Sequence, residues 1–212
     1  MQKEVFTEYK AEQFLSKYLP VAENQLIQTI NEIDFNKFKF PLVLKLISPQ
    51  ALHKSDIKGV RFVHNKDELK NEFNSLIQLA KEKHFEIDGI LVQGYKEGHL
   101  LIVGGKKDPT FEQVMLVGAG GIYTEVMEDI SIRACPITLK DADEMLKELK
   151  YYKVLDGYRG KKVNLEKLKE FLVKFSNVMD KNKDITELDI NPLIVNEDIV
   201  EIIDARIVFQ KS

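Results

Sequence analysis

Between residues 90 and 117 three short apolar runs follow one another: ILVQ (90–93), LLIVGG (100–105) and QVMLV (113–117), with Gly, Asp and Pro in the intervals. Runs this short, closed by turn-forming residues, fit strands rather than helices, and the stretch predicts strands of one sheet. PLVLKLISP (41–49) is a further β-rich run, bracketed by prolines, with a single charge, Lys45, at its middle. The polar, glycine-ended ALHKSDIKGV (51–60) then predicts a loop or tight turn before RFV returns to strand. Helical spacing lies elsewhere. Thr7 to Tyr18 sets Tyr9, Phe14 and Leu15 among charges, before Pro20. Residues 67–83 carry Leu69, Phe73, Leu76, Ile77 and Ala80 behind an Asp67 cap. Thr138 and Asp141 have capping-box spacing and open a helix through about Leu149. Asn164 caps another, striped by Leu165, Leu168, Leu172, Phe175 and Met179. Three short strands close the chain, around ITELDI, LIV and VEIIDARIVF. Segregated strands and helices predict an α+β (mixed) fold rather than a regularly alternating parallel sheet.

Charge and cysteine content remove several function classes. With 31 Lys+Arg against 34 Asp+Glu the net charge is −3, whereas a nucleic-acid-binding surface normally brings a basic excess. Cys135 is alone, so no intrachain disulfide and no cysteine-held zinc or iron–sulfur centre is expected. The longest nearly apolar stretch, Val114 to Ile122, is far short of the ~18–20 residues a membrane span needs. The N-terminus turns polar and charged at once, unlike a signal peptide. The expectation is a soluble, cytoplasmic protein that binds neither nucleic acid nor membrane.

Four features carry candidate chemistry. Lys45 is a charge inside an apolar strand: either an edge lysine or structural ion pair, or a cation reaching phosphates. His53, followed by Lys54, Ser55 and Asp56 and leading to Gly59, is either a solvated surface histidine or a nucleophile that takes a phosphoryl group beside cations and backbone N–H groups. Gly118-Ala119-Gly120-Gly121 follows a strand directly; it is either an ordinary turn or a place where amides approach a phosphate, and it lacks the G-K-[ST] ending of a Walker loop. Finally, ELDINPLIV (187–195) puts Asp189 and Asn191 on one face, and Asp204 lies on a later strand that can pair with the first. Such oxygens suit Mg²⁺, which takes few protein ligands and completes its shell with water and phosphates; the other reading is a turn-capping Asn and a solvent-facing Asp. Taken together, the four describe a nucleotide–Mg²⁺ cleft.

PLVLKLISPQALHKSDIKGV, IVGGKKDPTF, MLVGAGGIYTEVMEDISIRACPI, LKYYKVLDGYRG and ELDINPLIV with IIDARI run in one order along almost the whole chain. In that order they resemble the ATP-grasp β subunit of ADP-forming acyl-CoA (acetyl-CoA) synthetase, a relative of succinyl-CoA synthetase. The resemblance implies one ATP-grasp domain over 1–212, with lobes of about 20–92 and 93–212 around a nucleotide cleft and residues 1–19 packing as an N-terminal helix. It implies that His53 is transiently phosphorylated, that Lys45 contacts nucleotide phosphates, and that the loop His53–Gly59, with Lys54 and Ser55, covers them. Val92 and Gln93 fall where the adenine and ribose sit. Asn191 and Asp204 match Mg²⁺ ligands, with Asp189 beside them, and Gly120, Gly121 and Arg133 lie near the phosphoryl path. The implied reaction interconverts acyl-CoA, ADP and phosphate with acid, CoA and ATP. An α subunit would bind CoA and carry its own phosphohistidine, in an α₂β₂ assembly. Two other classes fit the residues: an ATP-grasp ligase that makes an acyl phosphate directly, and a non-catalytic nucleotide-binding module. The chain departs from the family pattern at Leu100, where the family has Glu; at Phe111-Glu112-Gln113, for FGP; and at Lys58-Gly59-Val60, for GGV.

Overall fold

The computed structural model describes residues 3–51, 54, 57–121, 129–158, 160 and 162–210. In chain order its elements are β1 (Lys3–Phe6), α1 (Glu8–Leu15), β2 (Asn24–Ile27), a 3₁₀ turn (Ile30–Glu32), β3 (Leu42–Ile47), β4 (Val60–Val63), α2 (Lys66–Glu82), β5 (Gly89–Gly94), β6 (His99–Asp108), β7 (Glu112–Ala119), β8 (Ile130–Ala134), α3 (Leu139–Glu148), α4 (Tyr152–Leu155), α5 (Leu165–Lys181), β9 (Ile185–Val195), β10 (Val200–Ile202) and β11 (Ala205–Gln210). They divide into two units, Ala22–Lys96 and a larger one of Met1–Val21 with Glu97–Ser212.

The smaller unit is a four-stranded antiparallel sheet in the order β2-β5-β3-β4. One face carries Leu42, Leu44, Leu46, Ile90 and Val92, which pack with Leu69, Phe73, Leu76 and Ala80 of α2. The helix cap lies two residues earlier than the sequence suggests. Asn65 is its cap, its side chain accepting the Glu68 N–H at 2.9 Å. Asp67 sits instead inside the first turn, where its negative charge suits the helix N-terminus.

The larger unit holds a seven-stranded sheet ordered β1-β11-β9-β6-β7-β8, with β10 also on β9. Its strand pairs are antiparallel. Leu101, Val103, Met115, Val117, Leu188, Ile190 and Ile207 form its inner face, under buried residues of α1, α3 and α5. A Cβ at Gly105 would stand 2.6 Å from Met179 Sδ, so α5 lies directly on the β6 backbone there. Thr138 and Asp141 do form a capping box, and the Asn164 side chain accepts the Lys167 N–H at 3.0 Å.

Three expectations change. β5 (the ILVQ run) belongs to a different sheet from β6 and β7. ITELDI and LIV form one continuous strand, β9, which passes through Pro192. Proline brings no N–H to a ladder, and opposite this point the β6 register shifts between Leu101 and Val103, which accommodates it. VEIIDARIVF is two strands, so Asp204 lies in the bend between β10 and β11 rather than in a strand.

Candidate functional site

In the smaller unit two candidate residues, Lys45 and Gln93, share the sheet face turned away from α2. Lys45 is paired with Val60 on one side and Leu91 on the other, so it lies on an interior strand. It is only 6% exposed. That removes the reading of an edge lysine facing water; burial of an ammonium is costly and has to be offset by partners. Gln93, 3% exposed, is opposite Val43 and therefore on the same face, two residues along. Val92 points the other way, into the α2 core, and its main chain lies in the sheet between β2 and β3, so Val92 is not turned toward a ligand on the Lys45 face. Lys54 bears on the loop through its carbonyl, which accepts the Gly59 N–H at 2.6 Å, while the Gly59 carbonyl accepts from Leu46 N–H at 2.9 Å. A Cβ on Gly59 would come within 3.2 Å of the Lys54 carbonyl oxygen. His53 and Ser55 lie outside the described residues.

In the larger unit the candidate metal-ligating residues lie toward the outer face of the seven-stranded sheet. Asp189 and Asn191 are exposed and flank buried Ile190, so they share that face. The Asn191 N–H donates to the Asp204 carbonyl at 3.1 Å, which places the bend beside the strand. Arg206 is directly opposite Asp189 and also within 3.8 Å of Glu187. The Asp189 carboxyl is raised above the ordinary carboxylate value, first by the protein packed around it and then by Glu187, with Arg206 opposing. Its surface nonetheless remains open to water, and screening there keeps the shift small. Across the face from Asp189 come Gly104 on β6, Leu116 on β7 and Ile132 on β8.

Two carboxylates and an amide oxygen are hard donors of the kind Mg²⁺ prefers. Among the described residues no three His, Cys, Asp or Glu side chains are gathered to hold a metal alone. A Mg²⁺ at Asn191 and Asp204 would therefore draw its other ligands from water and phosphate oxygens.

The glycine turn follows β7. Gly120 donates its N–H to the Leu100 carbonyl at 2.8 Å, and a Cβ on it would stand 2.8 Å from that same peptide. Gly121 has φ +67°, a left-handed conformation that glycine adopts without penalty. Arg133 is not brought to the outer face. It pairs with inward-facing Met115 and reaches Glu148 on α3, one contact measuring 3.1 Å. Ser131 also donates to that carboxylate. The Arg133 guanidinium is consequently raised and the Glu148 carboxyl lowered, each chiefly by hydrogen bonding to the other. Arg206 and Glu148 were not singled out from the sequence. Arg206 could have been, since it sits within IIDARI, next to the acidic pair it faces.

An ATP-grasp domain model matches residues 1–209. The β subunit of Acetate–CoA ligase [ADP-forming] II from Pyrococcus furiosus is 38% identical over 215 residues, covering 96% of this chain and 91% of its own. The chain belongs to the ATP-grasp family of ADP-forming acetate–CoA ligase β subunits. Solved members superpose closely on this β-type chain. A Ca. Korarchaeum cryptofilum dinucleotide-forming acetyl-coenzyme A synthetase 1, in complex with coenzyme A, Ca-AMPCP and HgCl⁺, gives a TM-score of 0.92 at 35% identity, covering 98% of this chain and 94% of that one. A second structure of that enzyme, with coenzyme A and Mg-AMPPCP and its phosphohistidine segment pointing towards the nucleotide binding site, gives 0.85 at 34% identity, over 97% and 93%. No helix among the described residues is long and apolar enough to cross a membrane.

Proposed function

We propose that this chain is the nucleotide-binding β subunit of a cytoplasmic ADP-forming acyl-CoA ligase, converting acyl-CoA, ADP and phosphate to acid, CoA and ATP with an α subunit, in an α₂β₂ assembly. The observation that carries the reading is the Asn191–Asp204 backbone pair beside Asp189, an oxygen-donor set on an open sheet face in a chain of this family. Bound there, Mg²⁺ supplies neutralisation of phosphate charge.

The chain's own residues divide the remaining work. A ring nitrogen of His53 attacks the phosphorus carried by the α subunit's histidine; the N–P bond to that histidine breaks as the new one forms. An ADP β-phosphate oxygen then displaces His53, giving ATP and a free imidazole. Lys45 holds the phosphates by charge, Gly59 and Gly120 let the main chain come close to them without a side chain in the way, Gly121 offers its amide, and Gln93 holds the nucleoside. Positioning and charge complementarity account for most of the acceleration in phosphoryl transfer, since the protein contributes little covalent chemistry beyond the relay.

The test is labelling. Wild-type chain exposed to γ-³²P-ATP acquires acid-labile, base-stable label, and His53→Ala does not, while ADP still binds within about tenfold, roughly 1.4 kcal/mol. With the α subunit present, His53→Ala is inactive; ATP synthesis by that variant would overturn the relay. A chain that binds nucleotide and never takes label is a regulatory module instead.

A further inference from the structure

Asp129 is a carboxylate with only 6% of its surface exposed. Its two oxygens accept main-chain N–H groups on another part of the fold, Lys150 at 2.7 Å and Tyr151 at 2.8 Å, at the junction of α3 and α4. Its own carbonyl accepts the Ala119 N–H at 3.2 Å, one residue before the glycine turn. The Tyr151 hydroxyl is 3.0 Å from His99 Nδ1, with the two rings edge to face at 5.9 Å. His99 precedes Leu100, whose carbonyl accepts from Gly120. These contacts close a loop: Gly120 to Leu100, His99 to Tyr151, Tyr151 to Asp129, and Asp129 back to Ala119.

Every link bears on how the Gly120–Gly121 turn sits. Gly118 and Gly120 have no room for a side chain, the first against the Asp129 carbonyl at 2.8 Å and the second against Leu100. The Gly118 and Gly120 peptides are thus wedged, the first against Asp129 and the second against Leu100 on β6. A buried carboxylate that accepts two N–H groups is held far more tightly than a solvated one, because losing either bond leaves an unsatisfied buried group. We propose that Asp129 is a positioning residue, which through Ala119 and the Tyr151–His99 pair fixes the Gly120–Gly121 turn, and with it the Gly121 amide, for the nucleotide's terminal phosphates. The inference rests on the reading of that turn as a phosphate cradle.

The experiment measures binding of Mg²⁺–AMPPCP to the full chain by calorimetry, beside thermal unfolding. Asp129→Asn replaces one acceptor oxygen by a donor facing an N–H, and should weaken binding at least tenfold. Tyr151→Phe removes only the far link and should weaken it about threefold to fivefold; it decides the matter if Asp129→Asn does not fold. Ser176→Ala is the structural control. Its hydroxyl is buried on the inner side of the same unit, accepting from the Ile137 N–H at 3.1 Å and donating to the Val173 carbonyl at 2.7 Å. It should lower the melting temperature yet leave affinity within twofold. Wild-type affinity in both Asp129→Asn and Tyr151→Phe overturns the inference, and so does an equal loss in Ser176→Ala. A wild-type chain that binds no AMPPCP overturns the proposed function itself, and the inference with it.

Discussion

The Asn191 N–H donates to the Asp204 carbonyl at 3.1 Å, joining β9 to the bend that opens β11. Because the link is between main chains, the two residues stay together whatever their side chains are. Asp204→Ala should therefore keep the fold, with a melting temperature within about 2 °C of wild type. It should weaken Mg²⁺–ADP binding at least tenfold, roughly 1.4 kcal/mol. Unchanged ADP affinity and unchanged Mg²⁺ dependence would remove Asp204 from the metal site.

Arg133 and Glu148 give a pH-dependent prediction. The Glu148 carboxyl is held below its ordinary value of 4.5 by Arg133 and then Ser131. A depressed carboxylate adds stability that is complete above the unfolded value and fades as pH falls through the folded one. Both side chains are partly open to water, so the pair is worth about 0.5–1 kcal/mol at neutral pH. Glu148→Gln should lower the melting temperature at pH 7 by roughly 1–4 °C and converge on wild type below about pH 4. A difference that stays constant across that range would point to packing and away from charge.

Glu112 stands where the family pattern has glycine, and its φ is +62°. A side chain in that region costs about 1 kcal/mol, while the Glu112–Lys183 contact at 3.0 Å, being exposed, contributes well under that. Glu112→Gly is therefore expected to raise stability, by up to about 1 kcal/mol in denaturant titration. A clear loss would mean that the ion pair outweighs the backbone strain.

Cys135 is half-buried, and burial first, then Asp180, pushes its thiol up to about 12. The thiolate fraction at pH 8 is then about one part in 10⁴. The native chain should leave a thiol reagent such as DTNB unreacted for hours at pH 8, and react within minutes in denaturant. Fast reaction of the folded chain would contradict the burial.

Local signals were legible and long-range choices were not. The Thr138–Asp141 box and the Asn164 cap could be read because a helix start is decided within four residues. The sheet that β5 joins was not, because ILVQ has the same composition whether it pairs with β3 or with β6; only the folded chain chooses the neighbour. For the same reason the face that Arg133 occupies was not legible, since one residue of register moves a side chain across the sheet. Asp189 and Asn191 were read correctly as neighbours on one face, because alternation along a strand needs no partner. Asp204 was placed beside them but in a strand, and no residue in IIDAR marks the bend that holds it.

The cross-strand row Arg206, Asp189, Gly104, Leu116 and Ile132 has one position with no side chain. The surface is thereby graded, with charge at one end, bare peptide in the middle and hydrocarbon at the other. A molecule with an ionic head and an apolar body can lie flat across Gly104 in one direction favourably, and in the reverse direction only by setting its charges on Leu116 and Ile132. Polarity of docking is thus written into the sheet before any individual hydrogen bond is made.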